Sequence, residues 1–181
     1  MNRLILSAVI AAALASTAIA QSHQPYAGMQ ARPIKALSDQ QIEDLKGGRG
    51  MGLALAAELN GYPGPIHVLE LADRLELSAG QRARTQELYA AMKAEAVELG
   101  ETLIAQEADL DRQFAGKTVT PNSLAASVRA IGNTQAALRA AHLKYHLSML
   151  EILTAAQVHR YTDLRGYSGG RQPQHPHRGR H

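Results

Sequence analysis

Leu124, Val128, Ile131, Gln135, Leu138, His142, Tyr145, Met149 and Ile152 follow one another in alternating steps of four and three without a break. That spacing keeps one stripe on one side of an α-helix and does not fit the two-residue alternation of a strand. The preceding segment follows nearly the same rule through Leu88, Met92, Glu95, Leu99, Leu103, Gln106, Leu110 and Phe114. Gly116-Lys117 separates the two stripes, so they read as a long antiparallel helical hairpin closed near residue 118. No segment shows sustained alternation, and the expected fold is all-α, with short helices flanking the hairpin. A second stripe, Leu143, Leu147 and Leu150, lies beside the seam. Two helices alone bury too little, so this stripe is expected to meet the short helices or a second subunit.

Helix starts are marked by three capping boxes, each with a leucine ahead of it: Leu37-Ser38 with Gln41, Leu77-Ser78 with Gln81, and Leu153-Thr154 with Gln157. In each the hydroxyl accepts from a first-turn amide, the Gln side chain reaches back, and the leucine tucks underneath. The first box launches a short helix ending at Gly47-Gly48. A short apolar helix over 53–59 and an amphipathic one over 66–75 follow, and the second box opens a helix over 79–115. Thr120 caps and Pro121 opens the return helix to about Ile152, and the third box starts a last helix through Arg165. Gly50-Met51-Gly52 has no preceding strand and no following Gly-Lys-Ser/Thr, so it reads as a corner and not as a phosphate cradle.

Residues 1–20 have the form of a cleavable signal peptide: Arg3, an apolar run over 4–15, and Ala18-Ile19-Ala20. Residues 21–37, with Pro25 and Pro33, read as a flexible linker, residues 38–166 as one helical domain, and 167–181 as a disordered His/Arg/Gly-rich tail. Cleavage would leave an exported protein with no membrane span, and the chain has no Cys to form a disulfide. Residues 38–166 hold 13 basic and all 16 acidic groups, so the basic balance of the whole chain belongs to its ends. Nucleic acid is therefore not an expected partner.

Two polar residues break the apolar rule of the hairpin. Folding about residue 118 sets residue i opposite roughly 236 − i, which brings His142 near Glu95. His146 lies a turn further on and Met149 beyond it on the same face. Imidazole, carboxylate and thioether in one partly dry seam suit a late first-row cation, with zinc, copper, nickel and cobalt all allowed. The plainer alternative is a hydrogen-bonded His–Glu pair that fixes register, with Met as gap filler. His67, with Glu70 on its own helix, is a further ligand type that the sequence does not place. A mature chain beginning Gln21-Ser22-His23 would offer a square-planar nitrogen set for Cu(II) or Ni(II), and His175, His177 and His181 a loose His-rich tract. No catalytic residues are assigned: the Ser residues lie at caps and in tails, no nucleophile–base motif is present, and an enzyme is not expected.

The boxes Leu77–Gln81 and Leu153–Gln157, bracketing a helical hairpin in a chain with an export signal, resemble the paired LTxxQ motifs of the Spy/CpxP family of periplasmic proteins, with its metal-responsive relatives ZraP and CnrX. The resemblance covers about residues 37–166, with Ser78 where the motif has Thr. It implies a cradle-like antiparallel homodimer in the periplasm. It also implies an envelope-stress role, either as an ATP-independent chaperone binding unfolded client proteins or through an envelope sensor protein. The metal-responsive branch implies a heavy-metal sensor instead, and there Glu95, His142, His146 and Met149 are the residues of matching ligand type.

Overall fold

The computed structural model describes residues 25–169. Among them the chain is all-helical: α1 (Asp39–Lys46), α2 (Leu55–Glu58), α3 (Pro65–Glu70), α4 (Ala79–Ala115), α5 (Pro121–Met149) and α6 (Ala155–Leu164), with short 3₁₀ turns at Met29–Ala31 and Tyr167–Gly169. None of these helices is long and apolar enough to cross a membrane.

All three capping boxes form: Ser38, Ser78 and Thr154 accept from the amides of Gln41, Gln81 and Gln157, whose side chains accept from the capping residues' own amides. A fourth box opens α5, where Thr120 and Ser123 exchange the same pair of bonds at 3.0 and 3.1 Å. Caps are local, which is why these starts fall where the sequence puts them. Helix ends move more. The chain leaves α5 at Met149 because residues 150–152 wind into i→i+3 turns before Thr154, whose ψ of 158° sets the next cap. Likewise α3 stops at Glu70, and turns carry the chain to Glu76 at φ +53°, a left-handed residue that redirects it into the second box.

The second and third boxes also bind each other. Gln81 Nε2 donates to Gln157 Oε1 at 2.8 Å and to the Ile152 carbonyl at 2.9 Å. Gln157 Nε2 donates to Gln81 Oε1 at 3.1 Å and to the Leu75 carbonyl at 3.2 Å. Each Gln oxygen still accepts from its own cap residue, Ser78 N–H at 3.0 Å and Thr154 N–H at 2.9 Å. Both amides therefore use both donors and both lone pairs.

α4 and α5 lie side by side and antiparallel. Gln113 bonds Ser127 and Glu95 bonds Tyr145, so residue i stands opposite about 240 − i, roughly one helical turn away from the register read from the sequence. Two apolar clusters cover the pair. Ile34, Leu37 and Leu45 pack with Ala96, Leu103, Ile131 and Leu138. Val68, Leu75, Met149, Ile152, Leu153 and Tyr161 form the other. The segment read as a linker is thus anchored where it is described: Ile34 and Leu37 are core residues, and Lys35 reaches Asp111 at 3.2 Å. The seam does not stay buried to its end. Phe114, Leu124 and Val128 are 53%, 37% and 54% exposed, because the short helices do not extend over the turn between α4 and α5.

Gly100 lets α1 cross α4. A Cβ there would stand 2.5 Å from the Leu45 carbonyl oxygen, a backbone atom that has nowhere to go. Gly100→Ala should therefore cost about 1–3 kcal/mol in urea denaturation, as overpacking does. At exposed Gly132, where a Cβ meets nothing within 4 Å, alanine should instead add up to about 1 kcal/mol. Equal effects at the two sites would contradict the close crossing. A double-mutant cycle on Gln81→Ala and Gln157→Ala should give a coupling of about 0.5–3 kcal/mol, and additive losses would show that the amides act separately.

Candidate functional site

The Gly47–Gly52 loop, α2, α3 and the facing sides of α4 and α5 enclose a cavity of about 550 Å³. Its rim is Gly-rich: Gly48 and Gly52 have φ of +63° and +79°, and a Cβ at residue 48 would stand 3.0 Å from the Lys93 carbonyl. Glycine thus lets the loop lie directly on α4. Arg49 is held at the rim by Asp44 at 2.6 Å, and His67 by Glu70 at 2.9 Å. Tyr89 and Met92 line the α4 side, His142 and His146 the α5 side, and Glu58 comes from α2.

Glu58 is the centre of a buried polar network. Its Oε1 accepts from Tyr161 Oη at 2.5 Å, Tyr167 Oη at 3.1 Å and Arg165 Nε at 3.2 Å. Its Oε2 accepts from the Gly64 amide at 3.2 Å, with His146 Nδ1 at 3.9 Å. A carboxylate with only 6% exposure is stable because Arg165 balances its charge and four donors replace water. Burial, and then the bond to this carboxylate, push the Tyr161 phenol far above its ordinary range, so it acts as a donor throughout.

The two histidines differ in what holds them. His146 places Nδ1 2.7 Å from the Tyr62 carbonyl. A carbonyl only accepts, so Nδ1 carries a hydrogen, and in the neutral ring Nε2 is then the nitrogen with the lone pair. Gly64 leaves that edge room: a Cβ there would stand 3.0 Å from His146 Cε1 and 3.2 Å from Nε2. His142 is 3% exposed, and its Nε2 is buried with no hydrogen-bond partner. Burial lowers its pKa, the neighbouring His146 lowers it further, and Glu95 opposes both, so the ring is held neutral.

Glu95 and Met149 do not join these histidines. With the register moved by about a turn, Glu95 lies beside Lys144 at 2.7 Å and Tyr145 at 3.1 Å. Met149 is fully buried against Val68, Leu75 and Tyr161 and is not on the cavity wall. His67 and Glu70, which the sequence could not place, stand on the wall. Among the described residues no three His, Cys, Asp or Glu side chains are close enough to hold a metal ion. His23, His175, His177 and His181 lie outside the described residues. Leu77, Ser78, Gln81, Leu153, Thr154 and Gln157 form the caps and the amide clasp and do not line this cavity. Sequence reasoning missed Glu58, Tyr161, Arg165 and Tyr167; its one available signal was a lone acid inside the apolar run Leu53–Leu59. Comparison with family models, with curated proteins and with solved structures found no match for the chain.

His142 ties stability to pH. Its folded pKa lies below the 6.5 of an ordinary imidazole, so the unfolded chain takes up the proton first. The stabilisation is complete above pH 6.5 and is lost as pH falls from there toward the folded value. Urea denaturation at pH 7.5 and 5.5 should show this loss, at most about 1.4 kcal/mol per pH unit. His142→Gln should reduce it, and an unchanged slope in that variant would place the titration elsewhere.

Proposed function

We propose that this chain is a non-enzymatic, periplasmic envelope-stress protein of the Spy/CpxP type, acting as an ATP-independent chaperone whose α4–α5 hairpin forms a cradle in a homodimer. The observation that carries this reading is the number of large apolar side chains left in solvent along the hairpin. Phe114, Leu124, Val128, Leu147 and Leu150 are 37–58% exposed. Scattered apolar residues are ordinary on a protein surface, but here four fall on two paired helices and the fifth, Leu150, caps the end of α5. The reciprocal Gln81–Gln157 pair supports the same reading, since it gives the two LTxxQ-like boxes a shared task.

A second reading, a heavy-metal sensor, is favoured by a different observation. His142 and His146 line one cavity, one with an unpartnered buried nitrogen and the other with its tautomer set by a backbone carbonyl. Histidines that ligate metals are commonly oriented in this second way.

The chaperone reading is tested by light scattering of a chemically unfolded client diluted into buffer without ATP or metal. The full chain should suppress aggregation at equimolar ratio. Leu124→Ser combined with Val128→Ser should suppress less, with stability changed by no more than about 0.5 kcal/mol per substitution because both sites are exposed. Failure of the unaltered chain to suppress aggregation overturns the proposal.

A further inference from the structure

We propose that the inner wall of the cavity is a site for a soft monovalent cation, Cu(I), with His142 and His146 as nitrogen donors and Met92 and Met51 as thioether donors. The inference rests on the metal reading and narrows it, replacing Glu95 and Met149 with two methionines from the cavity itself.

The nitrogen donors are prepared in complementary ways. A buried imidazole nitrogen without a hydrogen-bond partner is costly to the fold, and His142 Nε2 is such an atom. A cation is one partner that would satisfy it. His146 donates its Nδ1 hydrogen to the Tyr62 carbonyl, which leaves Nε2 as the nitrogen open to a metal, on the edge that faces Gly64.

The choice of metal follows from the remaining groups. The hard oxygen ligands are engaged: Glu58 by Tyr161, Tyr167, Arg165 and Gly64, and Glu70 by His67. His67, Glu58 and Glu70 share the cavity wall, but among the described residues no three His, Cys, Asp or Glu side chains come together closely enough to give a zinc-like dication its ligand set. What the wall does offer is sulfur. Met92 is 6% exposed and lines the same cavity as the histidines. Met51 lines it from the rim, where its backbone sits at φ +42°, a left-handed conformation that strains a non-glycine residue. Thioethers together with imidazole select Cu(I).

The test is an anaerobic Cu(I) titration of the full chain against bicinchoninate, with folding checked by circular dichroism. The unaltered chain should hold one Cu(I) equivalent more than a His142→Ala/His146→Ala variant. Histidines outside residues 25–169 are the same in both proteins and cancel in the difference. Met92→Leu and Met51→Leu should each weaken that equivalent at least tenfold. Met51 is 41% exposed, so its variant still reads the site if the Met92 variant fails to fold. If both thioether variants keep the equivalent at full affinity and the histidine variant loses it, the Cu(I) inference falls and the metal reading stands. If the histidine variant matches the unaltered chain with Cu(I), Zn(II), Ni(II) and Co(II) alike, both fall.

Discussion

The pairing of Gln81 with Gln157 fixes where the ends of four helices can lie. Each amide caps its own helix while donating to the other box and to a carbonyl of the segment that leads into that other box, Ile152 for Gln81 and Leu75 for Gln157. Capping and docking thus use the same atoms. A side chain that only capped would leave the start of α6 free to slide along α4. A side chain that only docked would leave first-turn amides open. Glutamine suits both tasks because its two donors and two lone pairs diverge from one planar group. Once the clasp sets α6 against α4, Tyr161, Arg165 and Tyr167 stand within reach of Glu58.

Local chemistry was legible in the sequence, and tertiary register was not. Helix starts at Ser38, Ser78, Thr120 and Thr154 depend on residues within three positions of one another, and each forms as the motif requires. Opposition across α4 and α5 depends on how the turn at 116–120 closes, which is not written in a heptad pattern. A displacement of about one turn preserves the apolar face while exchanging individual partners. For that reason His142 and His146 stayed on an inner wall while Glu95 passed to Lys144 and Tyr145. Glu58 was harder still. Its partners come from distant parts of the chain, and no short spacing brings them together.

The cavity illustrates how glycine acts where a side chain cannot. Gly64 makes room for the His146 ring, and Gly48 lets the rim loop rest on α4. Pro63 and Pro65 on either side of Gly64 are both fully buried, so the one uncovered edge is framed by rigid residues. A concave wall with fixed imidazoles is the outcome, built from segments that composition alone would assign to a loop.

The Glu58 network also bears on how the molecule opens. Its bonds to Tyr161, Arg165 and Tyr167 span 103, 107 and 109 residues, the longest separations among the side-chain hydrogen bonds of the described residues. Contacts across such spans carry the largest loop-closure entropy, whereas α4 and α5 meet across a turn of a few residues. The cooperative units of the fold are therefore unequal. Detaching α6 with the 167–169 turn breaks the clasp, the Glu58 bonds, the Arg160–Glu76 pair and the packing of Tyr161 against Val68, Leu75 and Met149, and it leaves the two long helices paired. Such a sub-global opening would bring water to the Glu58 side of the cavity without unfolding the core around Leu103 and Leu138.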